Sequence, residues 1–158
     1  MNHACPPGGE RPLTEGERAM VQAMFGSSVD LEPVRIRRRK WFPLQPANVV
    51  MAPRGHVHFH PAGPHYCDDF AEAPVPAQGL FIHEMVHVWQ AQTKGRHWLV
   101  LRRHPFCRYH YTMVPGREFG RYGIEQQAEI VRHAYLARIG RPESGAPNLT
   151  ELEKLLPF

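Results

Sequence analysis

His83-Glu84-Met85-Val86-His87 sets two imidazoles four residues apart, with a carboxylate beside the first. On a helix, residues four apart share a face with Cβ atoms about 5 to 6 Å apart, so both rings can turn a nitrogen toward one tetrahedral Zn2+. Glu84 is then placed to act as general base on a metal-activated water, whose pKa the ion lowers toward about 7. The chemistry predicted is hydrolysis at neutral pH, with Zn2+ as cofactor, His83 and His87 as ligands and Glu84 as the catalytic residue. A chain with 11 His produces such a pentad by chance in roughly one case in twenty, so its surroundings must carry weight.

Catalytic zinc takes three protein ligands and keeps a fourth position open. Further along, Glu125-Gln126-Gln127-Ala128-Glu129 puts two carboxylates at helical i, i+4 spacing. Glu125 is read as the third ligand, and Glu129 as the group behind the ligands that accepts a hydrogen bond from a histidine's other nitrogen. The two roles could be exchanged. The plainer alternatives are a surface ion pair of Glu125 with Arg121 or Arg132, and a partly buried histidine pair on an amphipathic helix. Tyr111, Tyr122, His110 and His133 all have the type needed to stabilise an oxyanion, and the sequence does not choose among them.

These residues need two helices to hold them. Gln78 to Lys94, ended by Gly95, predicts the first, with Leu80, Ile82, Met85, Val86 and Trp89 on its buried side. Tyr122 to Arg138 predicts the second, with Ile124, Ala128, Val131 and Tyr135 inward and Gly140 and Pro142 beyond its end. Upstream, Thr14 and Glu17 form a capping box for a helix whose apolar stripe is Ala19, Met20, Ala23, Met24 and Phe25, closed by Gly26. Val34 to Ile36 reads as a short strand. Asn48 to Met51 and His56 to His60 read as a hairpin around Ala52-Pro53-Arg54-Gly55. Alternation puts Val57 and Phe59 toward the core and His56, His58 and His60 away from it, on an edge that could guide an extended substrate. Arg96 to Phe119 is expected to be irregular, and Asn148 to Leu156 to form a short amphipathic helix docking in cis.

At 158 residues, with 42% hydrophobic and 22% charged residues, the chain fits one domain with a single core. The expected organisation is a flexible tail over 1–12, the domain over 13–140 and a C-terminal tail with its short helix over 141–158. The expected fold class is α+β, a small and mainly antiparallel sheet packed on the motif helix and a second ligand-bearing helix. Cys5, Cys67 and Cys107 are too few and too widely spaced for a disulfide framework and are read as free thiols. No stretch reaches the roughly 20 apolar residues of a membrane span and the N-terminus has no leader-like apolar run, so no membrane partner and a cytoplasmic location are expected. The net charge of +4 includes the run Arg35 to Lys40. With no accompanying nucleic-acid motif it reads as a solvated face, and no nucleic-acid partner is expected.

HExxH on one helix followed by ExxA-E on the next resembles the gluzincin class of metallopeptidases, matched here by His83 to His87 and Glu125 to Glu129. Phe25-Gly26, Val34-Arg35, the His56 to His60 segment and Val88-Trp89-Gln90 extend the likeness. They are similar to the compact zincin-like domain called the extracellular contractile injection system core domain, and to bacterial Vgr-related proteins. The resemblance covers roughly Leu13 to Arg138. It implies a minimal zincin fold, zinc-dependent hydrolysis of a peptide or protein substrate, and association with, or export through, an injection or secretion apparatus. A non-catalytic zinc-stabilised adaptor of such an apparatus is the alternative it leaves open. Glu129 stands where larger gluzincins carry Asp.

Overall fold

The computed structural model of the chain describes residues 4–104 and 106–158. Among them, five α-helices and one three-stranded sheet form an α+β arrangement. Helix α1 is Glu15–Phe25, α2 Val75–Lys94, α3 Trp98–Arg102, α4 Ile124–Arg138 and α5 Leu149–Leu155. The strands are β1 Glu10–Pro12, β2 Arg35–Arg37 and β3 Val57–His58.

Helix α2 is enclosed on several sides. Residues 81 to 88 are buried without a break, so the single buried side expected from its apolar pattern is too narrow. Helix α4 covers one flank, while α1, the Phe70 turn and β3 meet the others. Pro76 occupies the first turn, where its missing N–H costs no intrahelical bond. Lys94 complements the negative end of the helix, and Gly95, at φ 97°, terminates it. Phe59, Phe70 and Phe81 stack at 5.3 and 5.1 Å and tie the segment after β3 to α2.

Helix α1 begins at the predicted capping box: Thr14 Oγ1 accepts from Glu17 N at 3.0 Å, and Glu17 Oε2 accepts from Thr14 N at 2.9 Å. Its buried face is Glu17, Val21, Met24 and Phe25, whereas Ala19 and Ala23 of the expected stripe are exposed. A carboxylate can take a core position there because Arg11 of β1 meets it at 2.8 Å through two nitrogens. Of the segment expected to be a tail, residues 1–3 lie outside the described residues. The rest is anchored, with Cys5 buried, Gly8 N donating to Arg38 O at 2.8 Å, and Glu10–Pro12 paired as a strand.

The sheet order is β1-β2-β3, with β1 antiparallel to β2 and β2 parallel to β3. It is therefore mixed rather than mainly antiparallel. The expected hairpin contracts to one bridge, Met51 with His58, because the turn holding Pro53 follows at once and Asn48 to Val50 run off along a cavity. Val57 and Phe59 are buried as expected, but the histidine face is split. His58 is also buried, edge-on to Trp41 at 5.5 Å with Nδ1 3.3 Å from Arg39 O, while His56 and His60 are partly exposed. A two-residue strand imposes little alternation, and the Trp41 loop covers the face that solvent was expected to hold.

Helix α3 lies in the stretch expected to be irregular. Helix α5 docks in cis: Asn148 caps it, Leu152 is fully buried, and Phe158 beyond it sits 4.7 Å from Phe25 and 5.1 Å from Trp89.

Candidate metal centre

Helices α2 and α4 pack against one another, and the contact brings His83 and His87 opposite the first turn of α4. Glu125 Oε2 lies 3.0 Å from His83 Nε2 and 3.2 Å from His87 Nε2. One potential ligand atom from each of the three residues lies within 4.8 Å of the others, and all three residues are buried. They could hold one metal ion.

The outer nitrogens are fixed as well. His83 Nδ1 lies 2.8 Å from Glu129 Oε1, and His87 Nδ1 lies 2.8 Å from Gln90 Oε1. With both Nδ1–H groups donating outward, both Nε2 atoms face Glu125. Of the two carboxylates on α4, Glu125 thus faces both Nε2 atoms, and Glu129 stands behind His83 alone. Arg132 grips Glu129 Oε2 at 2.7 Å and also reaches Glu143 at 2.6 Å. Gln90 donates to Gln127 Oε1 at 2.9 Å and to Ile124 O at 3.1 Å, so His87 is oriented from the first turn of α4.

Charge follows this geometry. Burial disfavours the His83 cation, but hydrogen bonds to Glu125 and Glu129 outweigh it and hold the pKa up at about 9. Burial alone would raise both glutamates. The bond to His83, then that to Arg132, instead brings Glu129 down to about 2, and the two histidines hold Glu125 well below the usual carboxylate range. At Glu84 burial wins and pushes the carboxyl upward.

Glu84 Oε2 and Glu125 Oε1 are buried and meet no hydrogen-bond partner among the described residues. Arg103 Nε stands 3.9 Å from Glu125 Oε1. Glu84 and Glu125 line a cavity of about 340 Å³ whose other walls include Asn48 to Val50, Leu80, Arg103 and Tyr109. The Tyr109 ring stacks on His83 at 6.0 Å.

The structure brings His83, Glu84, His87, Glu125 and Glu129 together. The residues considered for an oxyanion lie elsewhere. Tyr111 Oη is 2.6 Å from His133 Nδ1 in a neighbouring cavity that also includes His110, and Tyr122 is buried with its hydroxyl accepting from Val114 N at 3.2 Å. Sequence reasoning missed Gln90, Arg103 and Tyr109 at this centre. Gln90 carried a local signal, three residues after His87, whereas Arg103 and Tyr109 arrive from a stretch with no periodicity. The basic run is largely engaged within the protein: Arg37 and Arg39 pair with Glu10 at 3.0 and 2.9 Å, and Arg38 lies over Tyr66 at 4.6 Å.

No protein-family model matches the chain. The type VI secretion system spike protein VgrG2b of Pseudomonas aeruginosa is 38% identical over 135 residues, which is 81% of this chain and 13% of that protein. The chain thus spans about an eighth of the relative's length. The solved effector domain of Pseudomonas aeruginosa VgrG2b superimposes with a TM-score of 0.69 and 33% identity, covering 91% of this chain and 80% of that one. With likeness in sequence and in fold over most of both domains, the chain belongs to the family of the VgrG2b effector domain.

Proposed function

We propose that this chain is an effector module of a Vgr-related secretion apparatus, and that it hydrolyses peptide bonds as a minimal gluzincin-type zinc metallopeptidase. The secretion half rests on the relatives, a type VI spike protein and its effector domain. The hydrolytic half rests on one observation: a buried pair of Nε2 atoms converges on Glu125 Oε2, beside two buried carboxylate oxygens with no hydrogen-bond partner among the described residues.

The donor set fits zinc. Two imidazole nitrogens, each ring held from behind, and one carboxylate match the ligand set of a catalytic zinc site with an open fourth position. A zinc ion bound there would lower the pKa of a coordinated water toward about 7 and polarise a carbonyl. His83, His87 and Glu125 would hold it, Glu129 and Gln90 keeping the two rings turned inward. Glu84, raised by burial and free at Oε2, is suited to take a proton from water as its oxygen bonds to the carbonyl carbon. The same proton then goes to the amine nitrogen as the C–N bond breaks. Asn48 to Val50, which line the same cavity, would guide an extended peptide in place of the expected hairpin.

A second reading, a non-catalytic metal-stabilised adaptor, is favoured by the relative being a spike protein. Glu84→Gln separates the two. A peptidase loses about 10² to 10⁴ in kcat/KM on an unstructured protein substrate while keeping its metal. An adaptor shows no turnover in the wild type, and its partner binding survives the change.

A further inference from the structure

Leu44, Leu101 and Phe106 are the most exposed large apolar side chains among the described residues, at 84, 83 and 83%. They sit in two separate loops whose neighbouring residues, Asn48 to Val50 in one and Arg103 and Tyr109 in the other, line the metal-centre cavity, while Leu101 and Phe106 themselves line a second cavity with Gly123 and Ile124. The Leu44 loop is pinned near its base, since a Cβ on Gly63 would collide with the carbonyl oxygen of Ala47. Both loops are also purely cationic. No aspartate or glutamate lies between Glu32 and Asp68 or between Glu84 and Glu118, while Lys40 and Arg54 accompany the first loop and Arg102 and Arg108 the second.

We infer that these two loops form a surface that docks the chain on an anionic lipid membrane, next to the metal-centre cavity. Exposed aliphatic and aromatic side chains interleaved with arginines suit an interface in which the apolar groups enter the acyl boundary and the cations meet lipid phosphates. Charge complementarity selects an anionic surface. Nucleic acid fits less well, because two fully exposed leucines gain nothing from phosphates and Arg37 and Arg39 are already paired with Glu10. None of the described helices is long and apolar enough to cross a membrane, so the contact is peripheral. The expectation of no membrane partner rested on spans alone and does not address such a surface. Docking does not depend on the hydrolytic reading.

The test is sedimentation of the full chain with phosphatidylcholine vesicles and with vesicles enriched in phosphatidylglycerol, at low and high salt. The expected result is binding to the anionic vesicles that salt weakens. Leu44→Ser, Leu101→Ser and Phe106→Ser together lower it by at least about tenfold. Arg102→Gln and Arg108→Gln lower it by about fivefold each. All five positions are exposed, so unchanged thermal midpoints certify folding. Failure to bind anionic vesicles, undiminished binding by the serine variant, or tighter binding to duplex DNA than to those vesicles overturns the proposal. None of these outcomes touches metal content or turnover, which test the hydrolytic reading separately.

Discussion

Glu17 and Glu125 are both buried glutamates facing cations or histidines, and they end in opposite states. Glu17 is fully enclosed and accepts at both oxygens, from Arg11 twice at 2.8 Å, from Thr14 N at 2.9 Å and from Phe70 N at 3.0 Å. Arg11 uses its remaining donors on Tyr66 Oη, Pro12 O and Cys67 O. Glu125 is as deeply buried, yet among the described residues Oε1 has no hydrogen-bond partner, and neither has one oxygen of Glu84 beside it. A closed set of donors and acceptors can only hold the fold together. An open one, kept open by helices that could have satisfied it, has capacity for something outside the chain. Burial of a carboxylate therefore says little about function until its lone pairs are counted.

Breaking the closed site should cost the most stability. Glu17→Gln leaves the Arg11 guanidinium buried with its countercharge gone, and unfolding in urea should show a loss of about 3 to 5 kcal/mol with metal content unchanged. Equal metal loss would mean that the two sites are not independent. His58, buried outside both sites, supplies a control with a pH signature. Burial, then the charge of Arg37, holds its pKa down at about 4, below the ordinary imidazole value of about 6.5. The unfolded chain therefore takes up the proton first. Stability is undiminished above about 6.5 and falls as pH drops toward 4, by about 3 kcal/mol. His58→Leu should flatten that part of the stability profile, whether or not metal is present. A slope that persists assigns the acid sensitivity to another group.

Two smaller effects sharpen the open site. Gln90→Leu removes the acceptor behind His87 without touching a ligand, and a chelator competition should show metal affinity falling about 10- to 100-fold. Arg132→Gln loosens Glu129 one step further out, so its effect on affinity should be smaller. An Arg132→Gln defect exceeding that of Gln90→Leu would shift the weight of orientation from His87 to His83.

Much of this contrast was legible in the sequence, but unevenly. The HExxH segment, the carboxylate pair on the next helix, the Thr14 capping box and the cis-docked C-terminal helix are local patterns, fixed by residues three or four apart. Strand β1 was not legible, because three residues ending in proline show no alternation. Nor was the burial of Glu17: the capping box announces its role at the helix start but not that Arg11 and Phe70 close over it. The predicted hairpin is reduced to one bridge, Met51 with His58: on the turn side Pro53 has no N–H to donate, and on the other side Asn48 to Val50 line the cavity. Arg103 and Tyr109 reach the centre only by tertiary placement, beyond the reach of any spacing rule.

The most direct measurement is the metal content of the purified chain by elemental analysis, wild type beside Glu125→Ala and Glu17→Gln. The open-valence account predicts about one zinc per chain in the wild type and in Glu17→Gln, and a large loss in Glu125→Ala. A wild-type chain without metal, or a Glu125→Ala chain that keeps its full complement, would contradict it.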